Sequence, residues 1–468
     1  MRALQKILAL ALLCLSVTAH AKELYVSAST GDDSVTYAGN SASTPWRTLG
    51  RALWGSTSLS SPSTAQAARA GDTVLVAAGT YNTNAVTNSR YVPIYNPVNS
   101  GTAGSPIVIK AVGTVHLQSS NSSGTQPIVG TQNRSYIIWD GFTVDEATVP
   151  TRRDTGPVVI WDSNNVTMQN MHVIGVVQNW GDNHNGIRIE GSNNVIVRNC
   201  RIEGFYESHG GGITTYRTGQ LLLENNDISN AEDGIFIKGE NQGPVTIRYN
   251  LVHNTKNAIM FGGIGLSGSM SYVYQNLITN AALGGVIFIG YDNLTPAHVT
   301  VVNNTIHAAS PSSDGGGILL RPQFTGYRNL VFKNNIVTGS AAGVTAWGTE
   351  LNASSFSHNN YYNNSRVAWI DYRDYTLSGW RSTYGKDTAG TLTSNPQFRA
   401  SDDFRLADTS PLINAGLDIL DLDNDGSTSD AITMGAYITG SEIIGINQNI
   451  FDVGLAPPSP PTGLTIVQ

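Results

Sequence analysis

One pattern recurs between about residues 134 and 362, and it constrains the fold more than any other feature of the chain. Its first half is a short apolar strand closed by asparagine: Leu221-Leu-Leu-Glu-Asn225-Asn226, Val245-Thr-Ile-Arg-Tyr-Asn250, Val299-Thr-Val-Val-Asn303-Asn304, Leu330-Val-Phe-Lys-Asn334-Asn335. Its second half is a glycine followed by alternating apolar residues: Gly186-Ile-Arg-Ile-Glu190, Gly212-Ile-Thr-Thr-Tyr216, Gly234-Ile-Phe-Ile-Lys238, Gly285-Val-Ile-Phe-Ile289, Gly317-Ile-Leu-Leu-Arg321. Successive glycines lie 26, 22, 51 and 32 residues apart, and the widest interval holds one more rung, Ala258-Ile-Met-Phe-Gly262. Alternation with period two is a strand signature, and 3.6-period segments are nearly absent. So short a repeat cannot bury its apolar face alone. Stacking repeats about 4.8 Å apart pairs every strand with the next coil and makes one continuous core. The expectation is an all-β parallel solenoid, despite a length of 468 residues that would otherwise suggest about three domains.

Aligning the coils puts Asn226, Asn250, Asn276, Asn304, Asn335 and Asn360 in one column, with Met171 and Cys200 at the same place in the two preceding coils. Asparagine tolerates the left-handed region at a tight bend, and stacked amides bond along a column. An inward, purely structural asparagine ladder is expected. Cys200 then reads as a buried, inert thiol. The other cysteine, Cys14, lies in the N-terminal apolar stretch, so no intrachain disulfide is expected.

That stretch reads as a signal peptide over residues 1–21. Arg2 and Lys6 form a positive start, Ile7 to Val17 is apolar but too short to span a bilayer, and Ala19-His20-Ala21 is a small-x-small cleavage site. The mature protein is expected to be secreted or periplasmic and off the membrane. The net charge of −7 becomes more acidic once Arg2 and Lys6 leave, which argues against a nucleic-acid partner. A local basic cluster would still suit an anionic polymer. The last residues, Ala456-Pro-Pro-Ser-Pro-Pro to Gln468, are Pro-rich and read as part of an extended tail over 441–468.

In each Gly-Ile-x-Ile-x strand the second and fourth residues point inward and the third and fifth outward. The third-position column reads Arg188, Thr214, Phe236, Met260, Ile287, Leu319, and the fifth reads Glu190, Tyr216, Lys238, Gly262, Ile289, Arg321. The preceding loops add Asp182 and His184, then His209, then Glu232 and Asp233, and Arg217 follows Tyr216. Charge and hydrogen-bonding capacity thus collect on three coils, and the same face then turns apolar. A functional site is expected there.

The chain resembles the pectate-lyase-like superfamily of right-handed parallel β-helices. Glu23-Leu-Tyr-Val-Ser-Ala-Ser-Thr-Gly-Asp-Asp, Pro45-Trp-Arg-Thr-Leu and Ala70-Gly-Asp-Thr-Val-Leu-Val-Ala-Ala-Gly-Thr-Tyr81 resemble its N-terminal cap. Asn395-Pro-Gln-Phe, Ser410-Pro-Leu-Ile-Asn-Ala-Gly416 and Met434-Gly-Ala-Tyr437 resemble its closing segment. The resemblance implies one domain over 22–440, with a cap over about 22–105, regular coils over about 106–365 and a closing segment over about 390–440. It specifies the fold strongly and the reaction weakly, because one fold hosts many chemistries.

The chemistry that fits the polar face best is β-elimination of a uronate polymer. It needs a group that neutralises the substrate carboxylate, a base for the C5 proton, and an acid for the leaving oxygen. Lys238 is the candidate base, Arg188 the candidate carboxylate partner, and Tyr216 or His209 the candidate acid. Asp182, His184, Glu190 and Arg217 are candidate substrate contacts, and Glu232 with Asp233 a candidate Ca²⁺ pair. Asp233-Gly-Ile-Phe-Ile-Lys238 resembles the chondroitinase B and alginate lyase branch, in which an acidic metal ligand precedes a strand ending in the base lysine. The arginine that branch carries on the next coil is missing from Ala258-Ile-Met-Phe-Gly-Gly263. A second acidic run, Asp421-Leu-Asp423-Asn-Asp425-Gly426, begins like a Ca²⁺ loop but has Ile432 at its twelfth place, where Asp430 could substitute. Two other readings stay open: a glycoside hydrolase using Glu190 and Asp233, and a non-catalytic polysaccharide-binding scaffold. A monomer is expected in each case.

Overall fold

The computed structural model describes residues 21–446, apart from 88, 121–125, 147–153, 177–182, 207, 291–293, 310–313 and 323–326. The signal segment but for Ala21, Asp182, and the tail beyond 446 therefore lie outside the described residues.

The chain winds into an all-β, right-handed parallel solenoid. Three strands per coil each pair in parallel with their counterparts in neighbouring coils. One series runs through Asn193–Arg198, Leu221–Glu224 and Val245–Arg248, the next through Arg201–Phe205 and Asp227–Ala231, and the third through Asn185–Glu190, Gly211–Tyr216 and Asp233–Asn241. The parallel ladder starts earlier than residue 106. Glu23–Val26 pairs with Thr73–Thr83, which pairs with Ile107–Ser119, so the N-terminal cap supplies rungs of its own. One apolar core runs from Leu24 to Trp380. Like residues stack on like within it, with Phe261 on Phe288 at 5.2 Å and Phe332 on Phe356 at 4.5 Å between ring centres. A short helix, Leu49–Trp54, all of it buried, closes one end, and Leu377–Tyr384 closes the other through the buried Trp380.

The asparagine ladder is present, with one shift of register. The amide nitrogen of Asn226 donates to the side-chain oxygen of Asn250 at 2.9 Å, and the pattern repeats through Asn276, Asn304 and Asn335. The last member is Asn359, which accepts from Asn335 at 3.0 Å, not Asn360, whose amide bonds Ser394. The backbone nitrogen of Cys200 joins the column by donating to Asn226 at 3.0 Å. Its thiol is fully buried, and burial pushes its pKa up to about 12, as an inert thiol requires.

The left-handed residue is not the ladder asparagine but the one before it. Asn225, Tyr249, Gln275, Asn303, Asn334 and His358 all have φ between 52° and 56°. The pair divides the work: its first residue makes the bend and its second fills the ladder. Where that first residue is asparagine, its amide also anchors the C-terminal segment, which runs back along the coils. Asn334 donates to the Leu417 carbonyl at 2.8 Å, Asn303 to Thr433 at 2.7 Å and Asn225 to Ile443 at 2.6 Å. The closing segment thus extends past residue 440.

Candidate functional site

The two outward columns stand as expected. Strand register sets Arg188 beside Thr214, then Phe236, Met260, Ile287 and Leu319 in turn. It sets Glu190 beside Tyr216, and Lys238 beside Gly262. The apolar stretch packs with itself: Phe236, Met260, Ile287 and Leu319 form one buried cluster, flanked by Leu283, Ile289 and Trp347.

At the polar end the side chains form a connected network. Arg188 donates from Nε and one terminal nitrogen to Glu190 Oε2, at 3.1 and 2.8 Å. Arg217 donates to the other oxygen of Glu190 at 2.5 Å. Arg188 also reaches the carbonyl of Asp154 at 3.1 Å, and the Asp154 carboxylate accepts from Arg90 at 2.7 Å and from Asn183 at 3.0 Å. Asn183 in turn accepts from Lys238 Nζ at 3.2 Å. Among the described residues the network holds four basic side chains, Arg90, Arg188, Arg217 and Lys238, against two carboxylates, Asp154 and Glu190. An excess of positive charge therefore stands on a chain whose net charge is −7. Arg217 and Arg90 are nearly half exposed, whereas Glu190 is buried between its two guanidinium partners.

Arg90, Tyr91, Asp154, Trp161 and Asn183 belong to this site and were not singled out in the sequence. The Tyr91 and Trp161 rings meet at 4.0 Å with their planes tilted by 33°, and Arg188 lies over Trp161 at 5.9 Å. Trp161 was within reach, because it precedes Glu190 in the fifth-position column by one coil. Arg90 and Asp154 sit on loops whose path no periodicity reports.

Other expected site residues go elsewhere. His184 is fully buried, with Nε2 2.6 Å from an equally buried Glu146 oxygen and its ring 5.0 Å from Phe205. It points into the solenoid and cannot touch a ligand on the outer face. Asp182 lies outside the described residues. His209, Glu232 and Asp233 form a second cluster at the other end of the strand that carries Lys238, five residues or roughly 15 Å from it. There the backbone N–H of His209 donates to Glu232, and the exposed imidazole pairs with Ser208 Oγ at 3.1 Å. Tyr216 lies among the cations, with the Arg217 guanidinium 5.6 Å from its ring centre.

Glu232 and Asp233 do not fit a Ca²⁺ pair. The Lys256 ammonium lies 2.5 Å from a Glu232 oxygen, holding the place a cation would take. Asp233 is buried and accepts from Asn257 at 2.7 Å. Burial pushes its pKa up to about 6, Asn257 opposes the rise, and the charge of Glu232 adds to it.

The second acidic run has the better donor set. Oxygens of Asp418, Asp421 and Asp423 lie within 4.8 Å of one another, as do those of Asp423, Asp425 and Asp430. One oxygen each of Asp423 and Asp430 is buried without a hydrogen-bond partner. Asp430 stands where the missing twelfth ligand was sought, and Asp418 lies just before the run that the sequence singled out.

Residues 153–306 match a family model described as the right handed beta helix region. No curated protein matches the chain. Among solved structures, pectate lyase Pel9A is similar over 91% of this chain and 97% of its own, at 17% identity and a TM-score of 0.55. The PL6 family polysaccharide lyase Pedsa3628 from Pseudopedobacter saltans is 14% identical over 73% of this chain and 93% of its own, with a TM-score of 0.46. A GH136 lacto-N-biosidase from Eubacterium ramulus is 13% identical over 79% of this chain and 67% of its own, with a TM-score of 0.43. At these identities the likeness is one of fold.

Proposed function

We propose that this is a secreted carbohydrate-active protein, a polysaccharide lyase that cleaves a uronate-containing polymer by β-elimination. The observation that carries the reading is the cationic excess on the outward face, with Lys238 inside it, on a net acidic chain. An anionic sugar polymer is the partner such a face suits. The lyase and hydrolase names among the structural neighbours agree with a carbohydrate ligand without choosing the reaction.

In this reading the half-exposed Arg217, with Arg188 beside it, meets the substrate carboxylate and stabilises the charge that develops as the C5 proton leaves. Lys238, acting as the neutral amine while one N–H donates to Asn183, takes that proton and becomes the ammonium. Tyr216, in the same group of side chains, is the candidate donor to the leaving oxygen. The test is the ultraviolet absorbance of an unsaturated uronate product across a panel of polymers. Hydrolysis or simple binding produces no such chromophore.

One observation favours a hydrolase as the second reading. A carboxyl whose pKa is raised to about 6 can hold a proton near neutral pH, and Asp233 meets that requirement of a general acid. New reducing ends without new absorbance, lost in Asp233→Asn, would select it.

We also propose that the C-terminal acidic run binds Ca²⁺. Asp418, Asp421, Asp423, Asp425 and Asp430 would supply hard oxygen ligands, and the ion would brace the closing segment without entering the reaction.

A further inference from the structure

The third-position column that begins at Arg188 does not stop at Leu319. Register carries it on to Thr345 and then Trp369. Trp369 is one of three aromatic residues gathered at that far end. Its ring lies 6.3 Å from Trp347 and 5.3 Å from Tyr372, and Trp347 lies 6.4 Å from Tyr372. The three planes are mutually near-perpendicular, at 78° to 88°. Tyr372 is 74% exposed, the most exposed large apolar side chain among the described residues.

The backbone makes that exposure at a cost. Arg366–Ile370 turns back on Arg373–Tyr375 through a two-residue hairpin, with Ile370 opposite Arg373. Both central residues have positive φ, 49° at Asp371 and 64° at Tyr372. Such a turn calls for Asn or Asp followed by Gly. Asp371 fits that preference. Tyr372 is a bulky side chain where glycine is favoured, and strain of this kind persists where a function holds it. The hairpin tip is also pinned, since both Asp371 carboxylate oxygens accept from the Gly348 N–H at 3.1 Å.

From this we infer a sugar-stacking subsite in which the exposed Tyr372 and the partly buried Trp347, backed by the buried Trp369, receive a pyranose ring of the polymer, far from the cationic cluster on the same face. The inference rests on the reading of that cluster as a polysaccharide site. The chemistry fits a sugar better than an extended apolar partner. A pyranose has one C–H face that suits the electron-rich face of an aromatic ring, and a rim of hydroxyls that needs polar neighbours. The aromatic group has such a rim in the Arg366–Asp374 ion pair at 2.7 Å and the guanidinium 5.5 Å from the Trp369 ring. Seven register steps separate Arg188 from Trp369, roughly 34 Å at the spacing of β-strands. Only a long ligand touches both places.

The test uses the full chain and affinity electrophoresis through gels containing pectate or alginate. Wild type should be retarded, Tyr372→Ala and Trp347→Ala should lose most of that retardation, and Tyr372→Phe should keep it. On a polymer that is cleaved, the alanine variants should raise KM roughly three- to tenfold with kcat unchanged. They should leave turnover of oligosaccharides shorter than the separation unaltered. Tyr372→Gly should weaken binding equally while unfolding at or above the wild-type midpoint, because glycine relieves the turn. Polymer binding by the alanine variants equal to wild type, or no retardation of wild type, overturns the subsite. So does a wild type that self-associates through this patch in sedimentation while the variants do not. The lyase reading fails separately, if no unsaturated product forms.

Discussion

The ammonium of Lys238 donates to the side-chain oxygen of Asn183 at 3.2 Å, although 55 residues separate the two in sequence. They stand two coils apart, and register alone would set Asn183 near Asp233, so the contact exists because the chain leading into Asn185–Glu190 brings Asn183 over the face to Lys238. Stacking of the third strands brings Arg188, Arg217 and Glu190 into one ion-paired group. A base candidate is thereby oriented by a neutral group inside a cluster of cations.

Removing one member of the asparagine ladder should be costly. Asn276 donates to Ile247, Tyr274 and Asn304 and accepts from the backbone and side chain of Asn250. Asn276→Ala leaves buried groups unpaired and should lower stability by about 1–3 kcal/mol, read from denaturant midpoints. An unchanged midpoint would mean that the ladder carries no load.

The Asp233 carboxyl should give stability a definite pH dependence. Its pKa is raised to about 6 in the folded protein, from an ordinary value near 3.8, so the folded state favours the protonated form. That contribution is full below about pH 4 and is lost as pH rises through about 6. It amounts to something on the order of 2–3 kcal/mol. Asp233→Asn should flatten the stability profile over that window, measured in chelator. A profile that keeps its wild-type slope there would assign the effect to another group.

Calcium should raise the unfolding midpoint, and a chelator should lower it. At a hundredfold excess over Kd, one site adds about 2.7 kcal/mol. Asp423→Asn with Asp430→Asn should abolish the response, because those residues carry the buried oxygens without partners. Activity of the calcium-free protein at a temperature where it stays folded should be unchanged. A metal response that survives the double substitution would place the ion elsewhere.

The fold was legible because period-two alternation and the glycine spacing each demand the same stack. The outward columns followed directly, and the structure reproduces them from Arg188 to Leu319. The ladder followed with one misplacement. In the stretch His358-Asn359-Asn360, histidine takes the left-handed bend and moves the ladder residue forward by one. His184 was misread because it was taken as part of a loop on the outer face, whereas its imidazole turns inward to the buried Glu146. Arg90 and Asp154 were invisible for a different reason. They arrive from loops, and what places them is a mutual ion pair at 2.7 Å, which no spacing encodes.

The most direct test of the account is turnover by Lys238→Ala on a polyuronate that the wild type cleaves, followed by absorbance of the unsaturated product. The substitution should lower kcat by roughly 10²- to 10⁴-fold, as expected for loss of a proton-transfer group. The unfolding midpoint should barely move, since Lys238 is only partly buried and stands outside the apolar core. Arg217→Ala should raise KM and lower kcat together, because a carboxylate partner acts both before and during proton abstraction. Full activity of Lys238→Ala would contradict the account and turn attention to Asp233.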